Sequence, residues 1–294
     1  MITLNEAEAV EVSLSAIDRG DESKAFQALD SLTGIAADFL SENEEADAER
    51  VILSIENAAQ VAAEREMELV TINSILSLGK LARVAADNGL ESALSRAFIA
   101  IGKLGEAAAS HSLEAGSKVA ATTLMEIWNF SPEEWEQEKT IAFSLLFKEI
   151  GTSAARRGMQ DVVLNAVTCL GEIGKKSAAK SLELETVSAL LLLEEIGKIA
   201  AESYFDEALS STALSIEEIG KLSKKKELSD AVLQCQWALE TLRVQAEEKL
   251  LNNSSIVAEL ALENFANAGY TDSEEKVEKF REIKALQEKI QSNL

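Results

Sequence analysis

Glu172-Ile173-Gly174-Lys175 returns as Glu195-Ile196-Gly197-Lys198 and again as Glu218-Ile219-Gly220-Lys221, each copy 23 residues after the last. Stepping outward on the apolar residue ahead of the glycine gives Ile55, Leu78, Ile101, Leu124, Ile150, Ile173, Ile196, Ile219, Leu242 and Phe265. Every interval is 23 residues except Leu124 to Ile150, which is 26. A fixed period of about 20 to 50 residues marks a chain built from stacked supersecondary units, each unable to bury its apolar face alone.

The next position is glycine in six of these ten units: Gly79, Gly102, Gly151, Gly174, Gly197 and Gly220. Apolar residues stand four positions before each (Ile75, Phe98, Phe147, Leu170, Leu193, Ile216), and small ones three after (Ala82, Gly105, Ala154, Ser177, Ala200, Ser223). Spacings of three and four put these on one helical stripe. Glycine inside a helix costs about 1 kcal/mol relative to alanine, so six copies need a cause. Either each glycine ends its helix, or it lies within one and admits a neighbouring helix closely. Breakers at Gly89, Ser110, Gly158, Ser181 and Ser203, six to ten residues beyond the glycines, favour the interior reading.

Each unit is then one helix of about 17 to 19 residues and a short turn. Two units make a 46-residue helical hairpin. The three Glu-Ile-Gly-Lys copies and their alternating helices resemble the HEAT/armadillo class of α-solenoid over about residues 40 to 270. That resemblance implies an all-α superhelix of about 12 or 13 antiparallel helices. It is one of architecture only.

Composition agrees. The 294-residue chain is 47% hydrophobic but only 5% aromatic and has one proline, as an aliphatic all-α core requires. Its 51 acidic and 28 basic residues give a net charge of −23. Such a surface is repelled by phosphate backbones and anionic lipids, so neither nucleic acid nor direct membrane insertion is expected. The longest aliphatic run, Ala189 to Leu193, is far short of a membrane span, and the N-terminus lacks a signal-peptide pattern. A cytoplasmic protein is the expectation.

In order, residues 1–46 read as N-terminal capping helices, 47–251 as regular repeats with a register slip at 128–135, and 252–294 as C-terminal capping helices, all one domain. Ser131-Pro132-Glu133-Glu134 has the form of a helix start. Trp128, Phe130, Trp135, Phe143 and Phe147 crowd this stretch. They read as packing between mismatched repeats or as a partner-binding anchor. For the anchor, Trp128, Phe130 and Trp135 are the candidates. The last helix, about 272 to 291, reads as a polar end cap whose Val277, Phe280, Lys284, Leu286 face is free to pair with another helix.

Chemistry is hard to place. Cys169 and Cys235 lie three units apart, too far for a disulfide, and read as buried apolar residues. His111, between two serines, reads as a turn residue. Neither a zinc site nor a di-iron site can be assembled from one histidine and two distant cysteines. Lys80, Lys103, Lys175, Lys198 and Lys221 read as a cationic ladder, or the last three as partners of Glu172, Glu195 and Glu218 in i,i+3 pairs. No catalytic motif, cofactor or metal is indicated. The expected function is a non-catalytic scaffold for a protein or peptide partner. The alternatives are a self-associating structural module and a regulatory domain holding a small apolar ligand.

Overall fold

The computed structural model describes residues 5–130, 137–263, 265 and 274–294, and among these it contains thirteen α-helices and no strand. They are α1 (Glu6–Asp18), α2 (Glu22–Ser41), α3 (Glu45–Glu64), α4 (Glu68–Asp87), α5 (Glu91–Ser110), α6 (Glu114–Phe130), α7 (Gln137–Arg156), α8 (Gln160–Ala179), α9 (Glu183–Glu202), α10 (Asp206–Lys225), α11 (Ser229–Glu248), α12 (Asn252–Glu263) and α13 (Glu274–Gln291). Most have 20 residues, slightly longer than expected, because the turns between them need only three.

Those turns share one construction. The residues at positive φ are Gly20, Asn43, Glu66, Gly89, Ser112, Gly158, Ser181, Tyr204, Glu227 and Leu250. The next residue donates its N–H back to the carbonyl five positions earlier, as Met67 does to Ala62 and Leu251 to Ala246, the Schellman closure of a helix. That residue is apolar in most turns, and Met67, Leu113, Met159, Leu228 and Leu251 are buried. These turns run at 23-residue intervals, and Ser112 and Gly158 lie two full periods apart. The three-residue slip expected at 128–135 is therefore not an insertion. The unbroken apolar row is Ala58, Leu81, Leu104, Ile127, Ile150, Ile173, Ile196, Ile219, Leu242, Phe265, at a constant spacing of 23. What changes is the glycine, the twelfth residue of α4 (Gly79) and the fifteenth of α7 to α10.

The chain divides into two compact units, Met1–Glu133 and Glu134–Leu294. In the first, helices pack both on the next in sequence and on the next but one, so α1, α3 and α5 form one layer and α2, α4 and α6 another. In the second, α7, α9, α11 and α8, α10, α12 repeat the arrangement. An α-solenoid is built this way, and the alternating layers answer the 46-residue hairpin. Within the first unit, α4 is long and apolar enough to cross a membrane. It is packed against α2, α3, α5 and α6, and half of its apolar window is buried, as in a core helix.

Within each unit, two devices couple helices to those two places on. The first is a socket. Gly151, Gly174, Gly197 and Gly220 lie inside their helices, not at the ends. A Cβ added to them would meet Ile196, Ile219, Leu242 and Phe265 respectively, at 2.5 to 3.2 Å. The helix between supplies Ala166, Ala189, Thr212 and Cys235 to the same sockets. The absent side chain lets the facing helices close on each other. Gly79 does the same for Thr123 in the first unit.

The second device is a cap. The opening N–H groups of an α-helix lack intrahelical acceptors. The first helix caps itself: Asn5 and Glu8 form a capping box. In α2, Asp21 accepts from Lys24 N–H. In α3, α4, α5, α8, α9, α10 and α11 the capping position carries no such side-chain bond; it is occupied by residues such as Met67, Leu90, Leu182 and Phe205. Instead an acid at the start of one helix caps the helix two places on. Glu45 accepts from Ser92 and Ala93 N–H at 2.8 and 3.0 Å, and Glu68 from Ala115 and Gly116 at 2.9 and 3.2 Å. Glu183 accepts from Asp230 N–H, and Asp206 from Ser254 N–H. A carboxylate there also suits the positive end of the helix dipole.

Candidate functional site

The aromatic stretch separates into two environments. Phe143 and Phe147 are fully buried in α7 and belong to the core. Trp128 and Phe130, at the end of α6, are half-buried, and the Arg83 guanidinium lies 4.5 Å from the centre of the Phe130 ring. Trp135 and the helix start at Ser131 to Glu134 lie outside the described residues. Trp128 has a second peculiarity. The fifteenth residue of each helix from α2 to α10 is Ala36, Ala59, Ala82, Gly105, Trp128, Gly151, Gly174, Gly197 and Gly220. An indole stands where every other helix in that run has no more than a methyl group. The apolar count that anchored on Gly79 hid this alignment; counting from Gly105 reveals it.

Of the five lysines of the expected ladder, Lys103, Lys175, Lys198 and Lys221 are held in ion pairs, and Lys80 is exposed. Lys175 bonds Glu172 as expected, at 2.5 Å, and also Glu218 of α10 at 2.9 Å. Lys198 and Lys221, however, pair with Glu194 and Glu217. The i,i+4 partner lies closer along the helix face, and the acids expected there are engaged elsewhere: Glu195 by Lys148 of α7, Glu218 by Lys175. Lys103 stands 3.9 Å from the buried Glu56, which Arg96 also bonds. Burial works to lower the pKa of Lys148, but hydrogen bonds and attraction from Glu149 and Glu195 outweigh it and hold the ammonium above the ordinary lysine range. Side-chain hydrogen bonding to Glu172, reinforced by Glu218, raises Lys175 likewise.

Cys169 and Cys235 are free and buried. Burial, aided by the charge of Glu172, pushes the Cys169 thiol up to about 12, and burial alone pushes Cys235 up. A thiol held neutral is a poor nucleophile; Cys235 serves instead to fill the socket at Gly220. His111 is the C-cap of α5. Among the described residues no three or more His, Cys, Asp or Glu side chains converge as a metal site would need.

The helix expected to cap the end of the array does something else. α13 packs on α7 and α9. Among its described side chains, Ile283, Gln287 and Ile290 are buried. Of the face anticipated for it, Lys284 is exposed and Leu286 half-buried; the side chains of Val277 and Phe280 lie outside the described residues. Gln287 Nε2 donates to the Ser188 carbonyl at 3.2 Å and to its Oγ at 2.9 Å. Beside it runs a cleft of about 560 Å³ bordered by Leu145, Leu191, Leu192 and charged residues of both signs.

No family model matches the sequence, and no curated relative does. Among solved structures, one entitled "Circular tandem repeat protein with novel repeat topology and enhanced subunit contact surfaces" is similar over 96% of this chain and 71% of its own, with a TM-score of 0.54 at 12% identity. The chain is a helical-repeat protein of the α-solenoid class. A de novo designed helical repeat protein also aligns, at 21% identity over 92% of this chain, but with a TM-score of 0.23. The first likeness carries the fold and nothing finer.

Proposed function

We propose that this helical-repeat protein is a non-catalytic scaffold that binds a protein or peptide partner. The observation that carries the reading is Trp128. Sockets, caps and ion pairs engage the repeating positions within the array, so a binding surface belongs where the pattern is broken. Trp128 breaks it most, with Phe130 and Arg83 beside it. Tryptophan and arginine also dominate the energetics of protein interfaces.

The test is affinity capture with the tagged chain from lysate of its host, soluble and membrane fractions kept apart. A reproducible partner lost on Trp128→Ala, and kept on Leu76→Ala at an exposed position of α4, supports the reading. A partner held equally by both variants removes Trp128 from the interface. No partner, together with a mass well above 31.7 kDa, replaces the scaffold with a self-associating module.

A further inference from the structure

Asn88-Gly89 is the one place in the chain where asparagine precedes glycine, although there are twelve asparagines. The pair carries a chemistry of its own. The main-chain nitrogen after an asparagine lies within reach of the carboxamide carbon and attacks it when the backbone between them is free to turn. A side chain on the second residue hinders that approach, and glycine has none. The structure places the pair in the open. Asn88 is the C-cap of α4, and both residues are exposed. Gly89 has φ +70°, with no packing neighbour within 4 Å of where a Cβ would stand. The other glycines at positive φ, Gly20 and Gly158, follow Arg19 and Arg157.

The turn also holds the reaction back. At the Asn88 ψ of −1° its own main-chain nitrogen eclipses that of Gly89, whereas ring closure needs Cβ in that place. Gly89 N–H donates to the Ala86 carbonyl at 3.1 Å, and Asn88 Nδ2 to the Val84 carbonyl at 3.0 Å. Both bonds belong to the last turn of α4, and helix ends open far more often than the fold as a whole. Such an opening frees the nucleophile and the carboxamide together.

We infer that Asn88-Gly89 is a self-modification site, gated by fraying of α4, whose product unfastens the α3–α5 cap. Gly89 N gives its proton to solvent and bonds to Asn88 Cγ. The Cγ–Nδ2 bond breaks, and ammonia leaves after taking a proton back. Water then opens the five-membered imide. Cleavage of the Cγ–N bond leaves aspartate; cleavage of the original peptide C–N bond leaves isoaspartate, with the main chain rerouted through Cβ. Nothing is oxidised or reduced, and water is the sole co-reactant. Either product sets a carboxylate at the negative end of the α4 dipole, with Asp87 next to it in the chain. Isoaspartate also adds a main-chain atom to a turn that Leu90 N–H closes on the Ala85 carbonyl at 2.9 Å. Ser92 and Ala93, whose N–H groups Glu45 accepts, follow directly. Loss of the closure therefore loosens the start of α5 from α3. The inference lies wholly within the first unit and does not rest on the scaffold reading.

The test ages the full-length chain at mildly alkaline pH, with a second portion in denaturant. Peptides are mapped by mass spectrometry, and isoaspartate is resolved from aspartate by chromatography. In the folded chain Asn88 should convert before any other asparagine, to both products, and more slowly than in denaturant. Asn88→Gln, which would need a six-membered ring, should stay intact at that position. In the aged wild type, amide exchange at Leu90, Ser92 and Ala93 should quicken, while Met67 in the α3–α4 turn keeps its protection. The aged Asn88→Gln chain should show neither change. Asn88→Asp isolates the charge and should quicken exchange less than the isoaspartyl chain does. Asn88 left intact in the folded chain once the denatured portion has converted overturns the inference, as does earlier reaction at another asparagine. Conversion as fast folded as denatured overturns the gate. Conversion with unchanged exchange at Ser92 and Ala93 overturns the effect on the cap.

Discussion

Adding one methyl group at two glycines should move stability in opposite directions. At Gly197 a Cβ would lie 2.6 Å from Leu242 Cδ2, 3.1 Å from Thr212 Cγ2 and 3.2 Å from Leu242 Cδ1. Leu242 is fully buried and must retreat by most of an ångström to restore ordinary contact. Overpacking of this kind costs about 1–3 kcal/mol. Replacing a mid-helix glycine by alanine returns about 1 kcal/mol. Gly197→Ala should therefore destabilise by about 0–2 kcal/mol. Gly34, inside α2, has no neighbour within 4 Å, so Gly34→Ala keeps the whole helix-propensity gain of about 1 kcal/mol. Urea unfolding followed by circular dichroism compares the two directly. Removing the obstruction should rescue the first: introduced into a Leu242→Ala background, Gly197→Ala should turn neutral or stabilising. Equal stabilisation by both alanines, or no coupling to Leu242, would refute the socket and leave the repeating glycines without a cause.

Three further outcomes follow from the same architecture. Glu68→Ala should cost about 1 kcal/mol by uncapping α6, and exchange should quicken at Ala115 and Gly116, which receive their acceptor from Glu68. Leu250→Gly should stabilise by about 1 kcal/mol, seen as a raised thermal midpoint. Its side chain is 82% exposed and its φ is +57°, so glycine relieves the left-handed backbone with little burial lost. Both cysteines should resist a disulfide reagent at pH 8 until the chain unfolds. Their folded pKa values are raised, so the stability they confer is complete below the ordinary thiol value of 9.0. It should fall by about 1.4 kcal/mol per pH unit for each thiol as pH rises above 9, until the folded pKa is reached.

The helices, their period and the interior glycines were legible in the sequence because one helix length and one turn length recur through the described turns. The count faltered at Leu124 for a physical reason. Gly79 sits one helical turn ahead of Ala82 in α4, and Gly102 one turn ahead of Gly105 in α5, on the same stripe, so anchoring on them displaces the row by three. The relayed caps left a trace that local reading does not weigh: Glu22, Glu45, Glu68, Glu91 and Glu114 open successive helices at 23-residue intervals. Capping is ordinarily sought within three or four residues, whereas here donor and acceptor stand 47 or 48 apart. The course of α13 was not legible. Its polar stripe suits an end cap as well as it suits the α7–α9 face, and only the fold shows that Gln287 meets Ser188, 99 residues away. Within the candidate site, composition draws attention to Trp128 and Phe130, but not to the small-residue position that Trp128 occupies.

The socket and the cap share a direction. In each pair the glycine or the acid belongs to the earlier helix, and the knob or the bare helix start to the later one. A ribosome releases the chain in that same order. Every segment from α5 to α12 that depends on such a pairing emerges after the residue that receives it, and α1 and α2 cap themselves. The array is thus written to be assembled as it is made. A fragment beginning in the middle would expose helix starts whose acceptors were never synthesised, whereas one ending in the middle would lack only what had yet to arrive.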